Sequence, residues 1–234
     1  MISLNLRIHI MRDVDDWVHA AGARLNNDHI QPADIVNEIL PEVNRVWKQA
    51  GVRWVLESVV EEAMVRTTTH EQDVAFVMAA ARDAEGRSDP ERLPLLNQMM
   101  AAKHRSTTEQ LAANTNLFHI YLFPFVGNSS QGNAMRRFDG STVVSTWSNK
   151  YKRQRDRSTH CAPQRRPFSE SWDVFVVGSI GQTIAHEVGH VLGLRHDACV
   201  RSGGCLMKSN GYVFNTAQIC HARQQAHART RAVR

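Results

Sequence analysis

The sequence predicts one mixed domain of the α/β (α+β) class, in which a twisted sheet of about five strands lies beside a helix with polar, reactive side chains. Two observations favour this class. Short β-branched or alternating runs, typical of strands, are separated by stretches with helical spacing. The last such run leads into HEVGHVLGLRHD at 186–197. With 234 residues and 42% apolar content, the chain can bury a sizeable core without disulfides.

The N-terminal part of the chain alternates strand, helix and strand. Residues 2–10 alternate apolar and polar side chains, which indicates a half-buried strand. Pro32 begins a helix that Pro41 can kink. Residues 51–60 then form the second strand. The apolar stripe of the helix comprises Val36, Ile39, Leu40, Val43, Val46 and Trp47.

The middle of the chain differs from its ends. Residues 61–116 contain helical pieces separated by Gly, Ser and Pro, so we expect an insertion between sheet strands. The apolar run at 117–126 predicts a deeply buried strand, in which His119 is expected to be a core or face residue rather than a ligand. The run WDVFVVG at 172–178 predicts the final strand, which leads directly into the histidine-bearing helix.

The histidine spacing predicts a metal site. His186 and His190 are four residues apart and project from one face of a helix. His196 would be out of reach on a continuing helix, but Gly193 can take a left-handed conformation and turn the chain back. Three protein ligands leave a fourth position open, which is typical of a catalytic zinc ion. Glu187 lies beside the metal without being forced to bind it.

This motif resembles the extended motif of the metzincin clan of zinc endopeptidases. The matched positions are His186, Glu187, His190, Gly193 and His196. The clan also has a methionine turn beneath the metal, for which GGCLMKSNGY supplies Met207. Asp197, directly after the third histidine, is most similar to the adamalysin (reprolysin, ADAM-type) branch. Ser209 stands where astacins and serralysins place a tyrosine, so Tyr212 is not expected to be a fifth ligand.

The resemblance implies a zincin-like fold with a single catalytic domain over residues 1–234. Its N-terminal subdomain would be 1–192, including the insertion at about 61–116. A small C-terminal subdomain, 193–234, would hold the methionine turn and a terminal helix. The resemblance is strong over about 172–220 and architectural before that.

The same resemblance implies a zinc-dependent endopeptidase with one catalytic Zn²⁺ ion and a peptide or protein substrate. Zinc lowers the pKa of a water toward about 7, and Glu187 takes its proton as general base. Met207 is expected to pack as a floor beneath the ligands, and Asp197 to anchor the turn. An edge strand beside the helix would bind the peptide backbone. The expected substrate-binding residues are Gly132, Asn133 and Ala134 on that strand, and Tyr212 and Val213 in a pocket wall.

Four cysteines raise the question of compartment. The adamalysin resemblance implies two disulfides, Cys161–Cys220 and Cys199–Cys205. Their placement suggests an oxidising destination, whereas no signal peptide is recognisable at the N-terminus. Localisation is therefore unknown, and export by a route without an N-terminal leader would reconcile the two observations. No stretch approaches the length of a membrane span.

Two other classes of function stay open. One is a catalytically silent zinc-binding interaction module. The other is a nucleic-acid-associated protein, suggested by a net charge of +5 and by basic stretches at 150–157, 164–166 and the C-terminal tail. A solvated loop and a frayed helix end explain these stretches better, because aromatic side chains for base stacking are scarce there. We expect a monomer that does not bind nucleic acid.

Overall fold

The computed structural model describes residues 1–12, 16–18, 23–25, 27–62, 117–123, 132–135, 141–148, 162–163, 179–196, 205–207 and 211–231. Several sequence predictions lie outside the described residues. They concern most of the helical insertion (63–116), the basic stretches 150–157 and 164–166, the final strand (172–178), and the residues Cys161, Asp197 and Cys199.

The described strands include a five-stranded sheet. They are β1 (Ile2–Met11), β2 (Asp16–Val18), β3 (Ala23–Leu25), β4 (Val52–Glu62), β5 (Leu117–Phe123), β6 (Gly132–Met135), β7 (Ser141–Ser145), β8 (Trp147–Ser148) and β9 (Ala162–Pro163). The sheet has the order β4-β1-β5-β7-β6, and β2–β3 and β8–β9 pair separately. Strands β4, β1, β5 and β7 run parallel, and β6 pairs antiparallel with β7. One edge therefore ends in a short strand that runs against its neighbour.

The centre of this sheet is buried on both faces. All seven residues of β5 are buried, as expected of a central parallel strand. The apolar side chains of β1 belong to the main core, and His9 on its other face is also only 1% exposed. β1 is thus more deeply buried at its C-terminal end than the half-buried strand that its alternation predicts, because His9 stacks on His119 and Tyr121 of the buried β5.

The helix after Pro32 contains a π-helical turn. It consists of α1 (Pro32–Asp34), the π turn Ile35–Ile39, α2 (Leu40–Trp47) and a 3₁₀ turn Lys48–Ala50. Pro41 has no N–H group, and its ring crowds the preceding turn of a regular helix. The backbone widens there, and the Leu40 N–H donates to Ile35 O instead of to a carbonyl four residues back. This widening places Val36 outside the core at 51% exposure, so its predicted place in the apolar stripe is wrong.

Two further helices complete the described core. They are α3 (Ile180–Val191) and α4 (Thr216–Arg231). α3 packs against α2 and against strands β6 and β7, whereas α4 packs against β1. Trp47 of α2 lies between them, with ring centroids 5.6 Å from Trp54 and 4.9 Å from Phe214. The Trp47 Nε1–H also donates to Ala185 O at 3.2 Å, which fixes α3 against α2.

The predicted mixed α/β class, with helices packed on a largely parallel sheet, is confirmed. The proposed division at residue 193 stays a prediction. Among the described residues, no helix is long and apolar enough to span a membrane.

Candidate metal centre

The site is built on α3, whose start is capped by a side chain. Ser179 is the N-cap residue, and its Oγ accepts a hydrogen bond from Gln182 N at 3.0 Å. Ser at this position satisfies one of the N–H groups that a helix start leaves without a partner in the helix. Ten of the twelve residues of α3 are buried. The helix is therefore held on all sides, which gives its histidines a rigid base.

The third histidine is brought back by a left-handed turn. Gly193 has φ 82°, and its N–H donates to His190 O at 2.9 Å. The Leu194 N–H then donates to Gly189 O, also at 2.9 Å. These two bonds close the helix end and reverse the chain. His196 consequently lies beside the two histidines of α3 rather than one and a half turns beyond them.

The three imidazoles converge through one nitrogen each. His196 Nε2 lies 3.1 Å from His186 Nε2 and 3.0 Å from His190 Nε2. Tetrahedral zinc with Zn–N distances of about 2.0–2.1 Å places its nitrogen ligands roughly 3.3 Å apart. The three side chains therefore form a group that can hold one metal ion.

Backbone carbonyls orient two of the ligands. His186 Nδ1 donates to Leu206 O at 2.7 Å, and His190 Nδ1 donates to Leu194 O at 2.9 Å. A proton on Nδ1 leaves the Nε2 lone pair free to face the metal position. Sequence reasoning missed both acceptors, because a backbone carbonyl has no residue-type signal. Only the chain path after Gly193 and around Met207 brings them to the histidines.

Met207 lies against the helix between the two ligands. Its side chain is fully buried, and a Cβ built on Gly189 would lie 3.0 Å from Met207 Sδ. The absence of a side chain at Gly189 is thus what lets the methionine approach α3. Leu206 N donates to Val213 O at 2.8 Å, so the chain before and after the turn is tied together. This arrangement places a soft apolar side chain under the histidines.

Glu187 lies on α3 directly after the first ligand and is only 6% exposed. His186 is partly exposed and His196 is exposed, so the site is open on the side of the third histidine. The structure thus brings together the three histidines, Glu187, Gly193 and Met207. Asp197 lies outside the described residues.

The predicted substrate-binding residues occupy two places. Gly132, Asn133 and Ala134 lie on β6, the antiparallel edge strand that packs against α3. Val213 is 51% exposed, whereas Tyr212 is only 6% exposed. Burial and the nearby Glu42 carboxylate raise the pKa of the Tyr212 phenol, and the Ser179 hydroxyl opposes the shift. The buried phenol of Tyr212 therefore lies near the start of α3. Its predicted role in a pocket wall stays a prediction.

A buried carboxyl group, which sequence reasoning also missed, lies at the same helix start. Glu42 Oε2 accepts a hydrogen bond from Ser179 Oγ at 2.7 Å. Burial raises the pKa of Glu42 to about 7, although the Ser179 hydroxyl and Arg45 oppose the shift. Nothing in the sequence around Glu42 indicates this role, because a glutamate on a helix ordinarily faces solvent.

One predicted disulfide is wrong. Cys220 lies on the exposed side of α4 as a free thiol, so it does not pair with Cys161. A bond from the C-terminal helix is not needed to hold α4, because Ala222 and Ala226 are already packed in the core. The Cys199–Cys205 pair stays a prediction, since Cys199 lies outside the described residues.

Comparison with known proteins supports the same centre. Residues 54–197, more than half of the chain, match metallopeptidase family M12B, reprolysin-like. No curated protein has a sequence that matches this chain. A solved zinc-dependent peptidase from Methanocorpusculum labreanum (strain Z) is 12% identical with TM-score 0.43, over 94% of this chain and 99% of its own.

A second solved structure, from a chaperone-substrate complex, is 10% identical with TM-score 0.50 over 99% of this chain. The chain spans only 36% of that protein's length, and the likeness concerns the fold alone. The family match includes all three histidines and ends at Asp197. The predicted membership of the reprolysin branch is thereby confirmed: the chain belongs to the reprolysin-like metallopeptidases of family M12B and is a peptide-bond hydrolase.

Proposed function

We propose that the protein is a zinc-dependent endopeptidase in which His186, His190 and His196 hold one Zn²⁺ ion and Glu187 is the general base. The position of His196 Nε2, 3.0–3.1 Å from the Nε2 atoms of both other histidines, carries this proposal, because neutral imidazoles are preferred zinc ligands. A fully protein-bound structural zinc would need a fourth side chain, and the described residues offer three.

The chain's own groups account for the proton transfers. Bound zinc supplies Lewis acidity, which lowers the pKa of a water molecule and polarises the scissile carbonyl. Glu187 accepts the proton of the attacking water and then passes it to the leaving amine. Its burial keeps the carboxylate out of bulk water, which strengthens electrostatic interactions at the reacting atoms.

Met207 and Asp197 support the site without taking part in the chemistry. Met207 fills the space under α3 at Gly189 and keeps the two helical histidines in place. Asp197 follows the third ligand directly, and we propose that it anchors the turn after Gly193. The two backbone acceptors, Leu194 O and Leu206 O, fix the rings of His190 and His186.

The substrate is proposed to bind as an extra strand. Among the described strands, β6 is an edge of the sheet and pairs on one side, with β7. Backbone N–H and C=O groups of Gly132, Asn133 and Ala134 on its other side can pair with an extended peptide. Tyr212 and Val213 are proposed to form the wall of the pocket for the residue that follows the scissile bond. Tyr212 is buried, so Val213 is the more exposed part of this wall.

The Cys199–Cys205 bond is proposed as the one disulfide of the methionine-turn region. It would form in an oxidising compartment, reached by a route that the sequence does not identify. Peptide mapping without reduction tests the bond in protein from its native compartment. Free thiols at both positions would contradict the pairing and favour a reducing compartment.

Digestion of a peptide library, with and without a chelator, tests the proposed function. We expect cleavage of internal peptide bonds, its loss after metal removal, and recovery on addition of Zn²⁺. Elemental analysis of the same preparation should give about one zinc per chain. Full zinc occupancy without cleavage of any peptide would contradict the proposal and favour a catalytically silent zinc-binding module.

A further inference from the structure

The start of α3 meets a buried carboxyl group from α2. Glu42 is only 4% exposed, and its Oε2 accepts the hydroxyl proton of Ser179. The two helices are in close contact there, since a Cβ built on Gly181 would lie 2.9 Å from Glu42 Cβ. Residue 181 must therefore be glycine for this carboxyl group to reach Ser179.

Hydrogen bonds lead from Ser179 to the backbone of residues 211–214. Ser179 Oγ accepts from Gln182 N, and the Gln182 side chain donates to Gly211 O at 3.1 Å. The buried Tyr212 phenol also lies near Ser179 and Glu42. From the other side, Gln49 Nε2 donates to Tyr212 O at 2.8 Å. The segment 211–214 is thus held between α2, the 3₁₀ turn after it, and the start of α3.

The same segment is bonded to the chain that orients a metal ligand. Val213 O accepts from Leu206 N at 2.8 Å, and Leu206 O accepts from His186 Nδ1 at 2.7 Å. A displacement of residues 211–214 would therefore move the backbone beside His186 and the exposed side chain of Val213. Through these hydrogen bonds, the Glu42 carboxyl group is linked both to the backbone beside His186 and to the side chain of Val213.

We propose that Glu42 is a positioning residue for the peptidase reaction: through Ser179, Gln182 and Tyr212 it holds segment 211–214 in the position that binds substrate. The inference rests on the proposed function. Glu42 touches neither the metal ligands nor the proposed base, so it acts on substrate binding and not on the proton transfers. Its loss should raise KM and leave kcat nearly unchanged.

The charged form of Glu42 is the one that holds the segment firmly. A hydrogen bond to a carboxylate is about twice as strong as one to a neutral acceptor. On α2 the charged neighbour is Arg45, and from segment 211–214 the titratable neighbour is Tyr212. α3 contributes the uncharged Ser179 and the N–H groups of its first turn, whose partial positive charge also favours a carboxylate. Positioning should consequently weaken as Glu42 is protonated below pH 7.

Glu42→Gln tests the proposal, because it keeps the shape of the side chain and removes its charge. The matched control is Glu57→Gln, which makes the same chemical change on β4. Glu57 forms a partly exposed ion pair with Arg7 of β1. With the best-cleaved library peptide at pH 8, we expect KM of the Glu42 variant to rise about three- to tenfold. kcat should change by less than about twofold, and the control should match the parent. At pH 6 the KM values of variant and parent should approach each other.

Amide hydrogen exchange supplies a readout that does not depend on activity. In the metal-loaded protein without peptide at pH 8, Glu42→Gln should speed exchange at Leu206 and Phe214, whose N–H groups donate to Val213 O and Gln49 Oε1. The expected acceleration is about three- to tenfold. Amides of the central strand β5 should not exchange faster. A general effect on stability would instead change protection in β5 and in the segment in the same direction.

The outcomes separate the two proposals. Unchanged KM and unchanged exchange at Leu206 and Phe214 in Glu42→Gln would overturn the positioning role. Faster exchange in β5 as well would overturn it in favour of general destabilisation. If the parent cleaves nothing, the proposed function fails, and selective exchange at the two amides still decides whether Glu42 holds the segment. Tyr212→Phe gives a second variant of this network and should produce a smaller KM increase in the same direction.

Discussion

The described part of the chain contains two histidine clusters, and one of them has the features of a metal site. His9 and His119 lie on neighbouring strands with Nε2 and Nδ1 2.8 Å apart, and both are buried. The metal-site histidines have a similar spacing of 3.0–3.1 Å between ring nitrogens. Proximity of imidazoles therefore does not distinguish the two clusters.

The partners of the ring nitrogens do distinguish them. His9 and His119 bond to each other, and His9 stacks on Tyr121 with ring centroids 4.4 Å apart. In the other cluster, His186 and His190 each donate Nδ1–H to a backbone carbonyl, which directs the Nε2 atoms to a common point. A set of histidines becomes a metal site when the backbone fixes the tautomer and leaves the remaining lone pairs facing one another.

Replacing one histidine in each cluster should give the largest contrast. We expect His190→Ala to lower zinc affinity by more than about 100-fold, because even the outer partners of metal ligands contribute 10- to 100-fold. His119→Asn should keep the zinc content of the parent while losing stability in its buried position. Elemental analysis after equilibration with limiting Zn²⁺ compares the two. Equal zinc loss in both variants would mean that the two clusters are not functionally distinct.

Removing Glu187, the proposed base beside the proposed ligand His186, should give the next largest effect. Glu187→Gln keeps the hydrogen-bonding shape and both helical histidines, so zinc content and folding should remain those of the parent. Cleavage should fall by about 10²-fold or more, the lower range for a positioned general base. The comparison requires protein with equal zinc content, since lost metal would mimic lost catalysis. Cleavage by this variant at the parental rate would show that another group is the base.

The sequence indicated the residues of the candidate centre better than the groups that hold them in place. A regular helix places residues one and four positions after His186 beside it, which makes Glu187 and His190 recognisable together with His186. Gly193 is recognisable because few other residues turn a helix end so sharply. Glu42 and the acceptor carbonyls are not recognisable, since they depend on how α2 and segment 211–214 pack in three dimensions. The π turn before Pro41 likewise needed the structure, because proline predicts a disturbance without specifying its form.

Glu42 and Glu57 should show opposite dependences of stability on pH. Burial raises the pKa of Glu42 in the folded protein from about 4.5 to about 7. The contribution of Glu42 to the free energy of unfolding is therefore fully present below pH 4.5 and is lost as the pH rises through 7. The hydrogen bond from Arg7 lowers the pKa of Glu57 to about 2, so its contribution is present above pH 4.5 and is lost as the pH falls.

Chemical denaturation at pH 4, 6 and 8 tests this difference. The free energy of unfolding of Glu42→Gln, relative to that of the parent, should rise by about 3 kcal/mol between pH 4 and pH 8, because each pKa unit corresponds to about 1.4 kcal/mol. Glu57→Gln should show no such gain at high pH. A pH-independent difference between parent and Glu42→Gln would mean that this carboxyl group is not buried in solution.

Gly193→Ala tests the turn that sets the metal cluster apart from the buried pair, and its expected effect is the smallest. A φ of 82° costs a residue with a Cβ about 1–2 kcal/mol. The new Cβ would also lie 2.7 Å from His221 Nε2 on α4, so that ring must shift. We expect the free energy of unfolding of the metal-free protein to fall by about 2 kcal/mol. The zinc affinity should also fall, but by less than in His190→Ala.

A double-mutant cycle with His221→Ala separates the two costs of this substitution. In the His221→Ala background, Gly193→Ala should be less destabilising, by roughly the 0.5–1 kcal/mol that a relieved contact provides. The remaining loss of stability is the cost of the left-handed backbone conformation at residue 193. Gly193→Asn should therefore be less destabilising than Gly193→Ala, because Asn tolerates the left-handed region. If Gly193→Ala costs nothing in either background, the left-handed turn is not what returns His196 to the metal.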